Sequence, residues 1–322
     1  MSKKKETILV TGGAGFIGSH VCDKLLSKGK KVICVDNINP YYSPERKIKN
    51  IKHNFKNPDF NLVIIDIREK DELEQVFCNE KIDKVVHLAA RAGVRPSIEK
   101  PLWFKETNVS GTVNMLELSK KYKVKNFVFG SSSSVYGKVN KAPFEETDDT
   151  SHPISPYAAS KKACELFCYT YSHLTDLNVI ILRFFTVYGP RGRPDMAPYL
   201  FTKWIDEGKQ IKRFGDGTTK RDYTYVGDIV EGVTKALEKN LDFEIINLGN
   251  STLIDLNHFI KVVEKAVGRK AKIKQYPEQE GDVPVTCASI DKAKNMLGWE
   301  PKVSIEEGMK KFTEWYKKNK ND

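Results

Sequence analysis

Thr11-Gly12-Gly13-Ala14-Gly15-Phe16-Ile17-Gly18 is the stretch that decides the fold. It follows an apolar run, Ile8-Leu9-Val10, and opens an amphipathic segment that begins near Phe16. In a strand–turn–helix unit each glycine has its own task. Gly12 permits the tight turn, Gly15 lets a pyrophosphate approach the backbone, and Gly18 allows close packing of helix on strand. Free N–H groups and the positive dipole end at the helix start, where Phe16 and Ile17 stand, then face the phosphates. Asp36 closes the second apolar run, 18 residues after Gly18. A carboxylate there accepts hydrogen bonds from the adenosine ribose and repels a 2′-phosphate. Its neighbours Asn37 and Ile38 carry no cation. The cofactor expected from these residues is therefore NAD, not NADP.

Outward from this unit, short β-branched runs alternate with amphipathic stretches over the first 190 or so residues, the rhythm of a parallel sheet. Strands are expected at 7–10, 31–35, 61–65, 84–88, 126–130 and 178–183. Helices are expected at 15–27, 71–77, 101–122 and 155–174. After Tyr188-Gly189-Pro190 the loops lengthen and strands shorten, with helices expected at 196–207, 226–239 and 256–267. The expected fold is α/β: a Rossmann-type, doubly wound parallel sheet over residues 1–189, and a smaller α/β lobe over 190–322 with some chain returning to the first. Asp66 and Ile67 end the third strand and could flank an adenine. Leu88, Ala89 and Ala90 end the fourth, where small side chains leave room for the cofactor.

The chain has 322 residues, 40% hydrophobic and 30% charged, which excludes collagen-like, mucin-like and wholly disordered classes. It holds 53 Lys+Arg against 42 Asp+Glu, a formal charge of +11. The lysines are dispersed and interleaved with acids, as in Glu69-Lys70-Asp71-Glu72, so a small anionic substrate explains the bias better than nucleic acid. No run reaches the ~18 apolar residues of a membrane span. The basic start, Met1-Ser2-Lys3-Lys4-Lys5, lacks a signal-peptide core. A cytoplasmic protein with reduced thiols is expected, neither membrane-bound nor nucleic-acid-binding. Cys164 and Cys168 lie one helical turn apart, but no Cys/His cluster supplies two further ligands, so no metal is expected.

The reacting groups follow the fifth strand. Ser131-Ser132-Ser133-Ser134-Val135-Tyr136-Gly137 ends it, and Tyr157 follows 25 residues after Ser132. Tyr157 and Lys161 are four apart and share one helix face. A free tyrosine titrates near pH 10. A lysine ammonium one turn away and a positive nicotinamide ring favour the phenolate, which makes Tyr157 a usable base. A serine hydroxyl can share the substrate proton.

With glycine fingerprint, Asp36 and this trio together, the sequence resembles the extended short-chain dehydrogenase/reductases that act on nucleotide sugars, from Thr7 to Trp315. The resemblance implies Gly12, Gly15, Gly18 and Asp36 as NAD contacts, Asn108 beneath the cofactor, and Ser132, Tyr157 and Lys161 as the catalytic trio; Ser131 is expected among the NAD contacts. It makes the second lobe the UDP-sugar site, and it implies a homodimer. Relatives that dehydrate or decarboxylate carry an acid beside the catalytic serine or threonine; here Ser133 and Ser134 stand there. That implies a 4-epimerase. The run from Arg183 to Ala197, with Thr186, Arg193 and Met196, is similar to the UDP-glucuronate branch, as are Ala92-Gly93-Val94-Arg95 and Gln279-Glu280-Gly281-Asp282-Val283-Pro284. Arg193 is the first candidate for a glucuronate carboxylate and Arg95 the second, because a guanidinium fork matches a carboxylate. Arg221 matches a diphosphate-binding position, with pairing to Asp222 or Asp228 as its other reading. Ser133, Asp282 and Thr286 complete the substrate set. Competing expectations are a UDP-glucose or UDP-N-acetylhexosamine 4-epimerase, and a non-enzymatic NAD-binding regulator.

Overall fold

The computed structural model describes residues 5–138, 141–277 and 283–320. In chain order the elements are β1 (Thr7–Thr11), α1 (Phe16–Ser27), β2 (Lys31–Asp36), α2 (Pro44–Ile51), β3 (Phe60–Ile64), α3 (Lys70–Asn79), β4 (Lys84–His87), α4 (Val94–Glu99), α5 (Pro101–Phe104), α6 (Gly111–Lys121), β5 (Asn126–Ser132), α7 (Pro156–Leu174), β6 (Asn178–Phe184), β7 (Thr186–Tyr188), α8 (Ala197–Asp206), β8 (Gln210–Phe214), β9 (Lys220–Tyr225), α9 (Val226–Glu238), β10 (Phe243–Leu248), β11 (Leu253–Asp255), α10 (Leu256–Val267), β12 (Lys272–Tyr276), α11 (Asp291–Leu297) and α12 (Ile305–Asn319). Contacts divide the chain into two compact units. The first comprises residues up to Gly137, Asp149–Arg183 and Val230–Ile246; the second comprises Lys138–Asp148, Phe184–Ile229 and the rest from Asn247.

The first unit is built on a seven-stranded, mostly parallel sheet in the order β10-β6-β5-β4-β1-β2-β3. Ile8, Leu9 and Val10 are fully buried, as are Val32 to Val35 and Val85 to Val86. Strands covered on both faces read as continuous β-branched runs, which is why they were legible. β1 pairs in parallel with β2 on one side and β4 on the other. The strand order reverses there, and a crevice opens at the carboxyl ends of β1 and β4, where ligands bind such sheets. Helices cover the faces, with Leu73, Phe77, Met115, Leu116 and Cys168 in one continuous core.

One expected helix is interrupted. The 101–122 segment forms α5, then a wide π-helical turn at Lys105–Ser110, then α6. The bulge turns Thr107 and Asn108 inward, both buried. Such π turns are frequent at functional sites.

The second unit has a three-stranded sheet, β11-β9-β7, and a two-stranded parallel pair, β12-β8. Its core centres on the Tyr223 and Phe259 rings, stacked 4.4 Å apart, with Tyr199, Phe312 and Tyr316 beside them. Among the described residues no helix is long and apolar enough to cross a membrane.

Candidate active site

The glycine loop is locked by its backbone. Gly12 N donates to Val35 O at 2.8 Å, and Gly15 N to Gly12 O at 3.0 Å. Gly12 sits at φ +67°, and a Cβ there would meet Ala89 N at 2.8 Å. At Gly18 a Cβ would strike Gly12 O at 2.1 Å. At Gly15 a Cβ would meet only Gly12 O, at 3.1 Å, and Tyr42 Oη, at 3.9 Å. The space above the loop is otherwise open, as a pyrophosphate coming to the amides at Phe16 and Ile17 requires. The residues therefore fit a bound dinucleotide.

Asp36 ends β2 and is buried. Its carboxylate accepts from Ala14 N at 3.2 Å and from Ile38 N at 2.9 Å. Ile38 adopts φ 47°, rare for a β-branched residue and held here by that bond. Asn37 donates from Nδ2 to Asp66 Oδ2 at 2.8 Å, and Arg68 grips Asp66 with Nε and Nη2, both at 3.0 Å. Burial works to raise the Asp66 pKa, but these bonds hold it below the ordinary carboxylate value. Beside Asp66, Ile67 is buried against Gly111. The structure also supplies a cation that the reading of Asn37 and Ile38 missed: Lys47 Nζ lies 3.8 Å from Asp36 Oδ1, and both side chains are buried. Ser43-Pro44-Glu45 signals a helix start, so α2 was within reach of the sequence. Which way Lys47 faces was not.

At the end of β4, Leu88 N and Ala89 N donate to Thr11 Oγ1 at 3.2 and 3.1 Å. Ala90 follows, half-buried like both of them. Thr11 Oγ1, having accepted twice, gives its proton to His87 Nδ1 at 2.7 Å, so Nε2 carries the imidazole proton and meets Thr112 Oγ1 at 3.0 Å. Asn108 fastens the next stretch: its Oδ1 accepts from Arg91 N at 2.8 Å, and its Nδ2 donates to Arg91 O and Ser160 Oγ at 3.0 and 2.9 Å. His87 was not singled out in the sequence. Burial, and secondarily the Lys161 charge, press its pKa from 6.5 down to about 3. Between those values the unfolded chain binds a proton that the folded chain refuses. Stability should therefore fall as pH is lowered from 6.5 toward 3, with a slope approaching ~1.4 kcal/mol per pH unit. His87→Gln should flatten this acid limb in denaturation at several pH values; unchanged slopes would refute the assignment.

β5 and α7 carry the reacting groups. Ser155 caps α7 by accepting from Ala158 N, and Pro156 starts it. Tyr157 is half-buried, its ring edge-on to Phe104 at 6.1 Å. One turn on, Lys161 Nζ donates to Gly130 O at 2.6 Å and lies 4.7 Å from the Phe129 ring centre, tying α7 to the end of β5. Burial pushes the Lys161 pKa down, opposed by Cys164, Cys168 and Glu165. Ser132 Oγ accepts from Ser134 N at 3.2 Å and starts a short 3₁₀ turn through Ser133. The Ser131 hydroxyl is committed to Glu165, at 2.6 Å. Glu165 in turn receives Arg183 Nε at 3.0 Å and Nη2 at 2.8 Å, with both side chains 1% exposed. The single unit thus brings together the glycine loop, Asp36, Asn108 and the Ser132, Tyr157 and Lys161 trio.

Arg95 lies exposed on α4 of this same unit. The remaining substrate candidates belong to the second unit. Thr186 opens β7, and Met196 caps α8. Arg193 is held by Asp195 in a two-point pair, Nε–Oδ1 3.0 Å and Nη2–Oδ2 2.6 Å. Arg221 donates from Nη1 to Lys220 O at 2.9 Å. Asp222 instead accepts from the backbone of Asn250, Ser251 and Ala288, and Asp228 from that of Lys302 and Val303, while Arg221 turns to backbone carbonyls, so neither carboxylate pairs with Arg221. Thr286 is buried and donates its N–H to Lys220 O at 3.2 Å. Asp282 lies outside the described residues.

The sequence profile of the family described as GDP-mannose 4,6 dehydratase matches residues 9–312. A UDP-glucuronate 4-epimerase of Thermodesulfobacterium geofontis is 47% identical over 312 residues, spanning 97% of this chain and 96% of that protein. The crystal structure of a UDP-glucuronic acid 4-epimerase from Bacillus cereus, in complex with UDP-glucuronic acid and NAD, is similar with a TM-score of 0.91 at 37% identity, covering 97% of this chain and 99% of that one. A UDP-glucose 4-epimerase from Thermotoga maritima, with UDP-glucose, gives 0.89 at the same 37% identity and the same 97% and 99% coverage. Different sugars at equal identity mean that overall likeness to solved structures does not choose between them. The profile match, the near full-length relatives and the β1–α1 cradle agree: the chain belongs to the GDP-mannose 4,6 dehydratase family of extended short-chain dehydrogenase/reductases.

Proposed function

We propose that the chain is an NAD-dependent nucleotide-sugar 4-epimerase that converts UDP-glucuronate to UDP-galacturonate through a 4-keto intermediate. The observation that carries the reaction type is the end of β5. Lys161 and the Ser132 turn meet there, and the positions beside Ser132 hold only hydroxyls, Ser133 and Ser134. Neither Ser133 nor Ser134 is an acid that could move a proton elsewhere on the sugar, so chemistry at C4 is what remains. The glucuronate arm is supported by the 47% identical relative that bears that activity in its name.

The glycine loop, the amides at Phe16 and Ile17, and Asp36 would hold NAD, which would supply a reversible hydride acceptor for C4 with no net redox change. The chain's own residues handle the proton and the grip. Tyr157 Oη removes the O4 proton, and the Lys161 ammonium favours the phenolate that does so. Ser132 holds O4 through its hydroxyl. Arg221 is the proposed diphosphate residue, and Met196, Thr286 and Ser133 are proposed substrate contacts. A 4-keto uronic acid is a β-keto acid; Arg193 and Thr186 hold its carboxylate near the ring plane, which suppresses loss of CO2. Because Asp195 already occupies two points of the Arg193 fork, the substrate carboxylate is received beside that pair, and Arg95 is the second candidate.

The test runs UDP-glucuronate and UDP-glucose in parallel, with products resolved by chromatography. Arg193→Leu should lower turnover of the acid about 10- to 150-fold more than that of the glucoside, the worth of one charge-assisted hydrogen bond. Wild-type protein that converts UDP-glucose and ignores UDP-glucuronate would overturn the substrate and leave the epimerase. Equal losses on both sugars would remove Arg193 from the carboxylate role.

The acting form is read as a homodimer. On the first unit α5 exposes Leu102 and Trp103, and α7 exposes Leu166 and Phe167. Exposed large apolar side chains on these two helices would be covered by a second copy. Sedimentation should give twice 36.6 kDa, and a mass of one chain would refute the dimer.

A further inference from the structure

Asp36 and Lys47 form a buried ion pair within the ribose end of the proposed cofactor site, and only Asp36 has a role there so far. The Lys47 ammonium is 3.8 Å from Asp36 Oδ1 and 5.1 Å from the centre of the Tyr42 ring. Its position does not depend on Asp36 alone. The short helix α2 is pinned by the Ser43 cap, which accepts from Arg46 N at 3.3 Å, and by Asn50, whose Nδ2 donates to Ala14 O at 3.1 Å. Lys47 is therefore presented by a tethered helix over an aromatic face, and it should remain in place when Asp36 is changed. Arg91 adds a second positive charge that acts on Lys47. Without the carboxylate the Lys47 ammonium would lose its ion-pair partner, and a phosphate dianion restores a counter-charge.

We infer that Lys47 is a latent specificity residue: paired with Asp36 it leaves the site to a ribose diol, and freed of Asp36 it becomes the cation that accepts a 2′-phosphate. The inference rests on Asp36 being the ribose ligand, as the proposed function has it. It follows that the preference for NAD over NADP is set by one carboxylate that both repels the phosphate and neutralises the group that would bind it.

The experiment uses the full-length protein as wild type, Asp36→Ser and Asp36→Asn, each with and without Lys47→Met. Nucleotide released from each purified protein is identified by chromatography, and NAD and NADP are titrated calorimetrically. Asp36→Asn keeps an acceptor for Ile38 N and serves if the serine variant folds poorly. Wild type should hold NAD. The Asp36 variants should bind NAD more weakly and NADP at least about tenfold more tightly than wild type does, in line with one charge-assisted bond. Lys47→Met should remove that gain. A gain that survives Lys47→Met, or no gain in either Asp36 variant, overturns the role of Lys47. NAD affinity unchanged in both Asp36 variants would refute Asp36 as the ribose ligand, and the inference with it.

Discussion

Tyr157→Phe should reduce epimerisation by roughly 10²- to 10⁴-fold, the range that one positioned acid–base group contributes, while UDP-sugar affinity stays near wild type. The substitution removes a single hydroxyl. The ring keeps its edge contact with Phe104, and Lys161 stays anchored on Gly130 O, so the cradle around the missing oxygen is intact. The loss should therefore fall on kcat, with Kd for UDP-sugar measured separately by calorimetry. Ser132→Ala should be milder, because one neutral hydrogen bond goes and the base remains. Turnover of Tyr157→Phe within tenfold of wild type would remove Tyr157 from the base role.

Glu165→Ala should lower the unfolding free energy by about 3–5 kcal/mol, as breaking one side of a buried ion pair does. The reason is what stays behind. Arg183, 1% exposed, would keep its charge with no carboxylate at 2.8 Å, and the Ser131 hydroxyl would lose its acceptor at 2.6 Å. Tyr136, whose ring lies 4.8 Å from the Arg183 guanidinium, cannot replace a counter-ion. Replacing both partners, Glu165→Leu with Arg183→Met, should recover much of the loss, because desolvation of the two charges disappears together with their attraction. Denaturant unfolding of the single and double variants makes the comparison. A single-variant loss below about 1 kcal/mol would show the pair to be incidental, at the level of an exposed salt bridge.

The two variants probe one face of one helix, and they differ in how far the sequence could foresee them. Tyr157 and Lys161 share a face by spacing alone, and α7 has the length that the spacing requires. Glu165 continues the same face one turn further, yet its partner Arg183 lies 18 residues away on β6 and could not be named from either segment.

The same division runs through the cofactor site. What the sequence by itself determined was local: the β1–turn–α1 unit, the strands flanking it, the glycines whose missing Cβ the turn demands, and the place of Asp36 at the end of β2. Backbone torsions and the two periodicities, 2 for strands and 3.6 for helices, act over a few residues, so they are written in the order of residues. Only the tertiary structure decided that Lys47 meets Asp36, that Thr11 and His87 clamp the end of β4, that the 101–122 helix opens into a π turn to bring Asn108 to Arg91, and that Asp222 serves backbone amides in place of Arg221. Each of these pairs a buried polar group with the partner that the assembled fold places beside it. A buried charge or amide must be satisfied by whatever lies within about 3 Å once water is gone, and which group that is depends on packing between segments far apart in the chain.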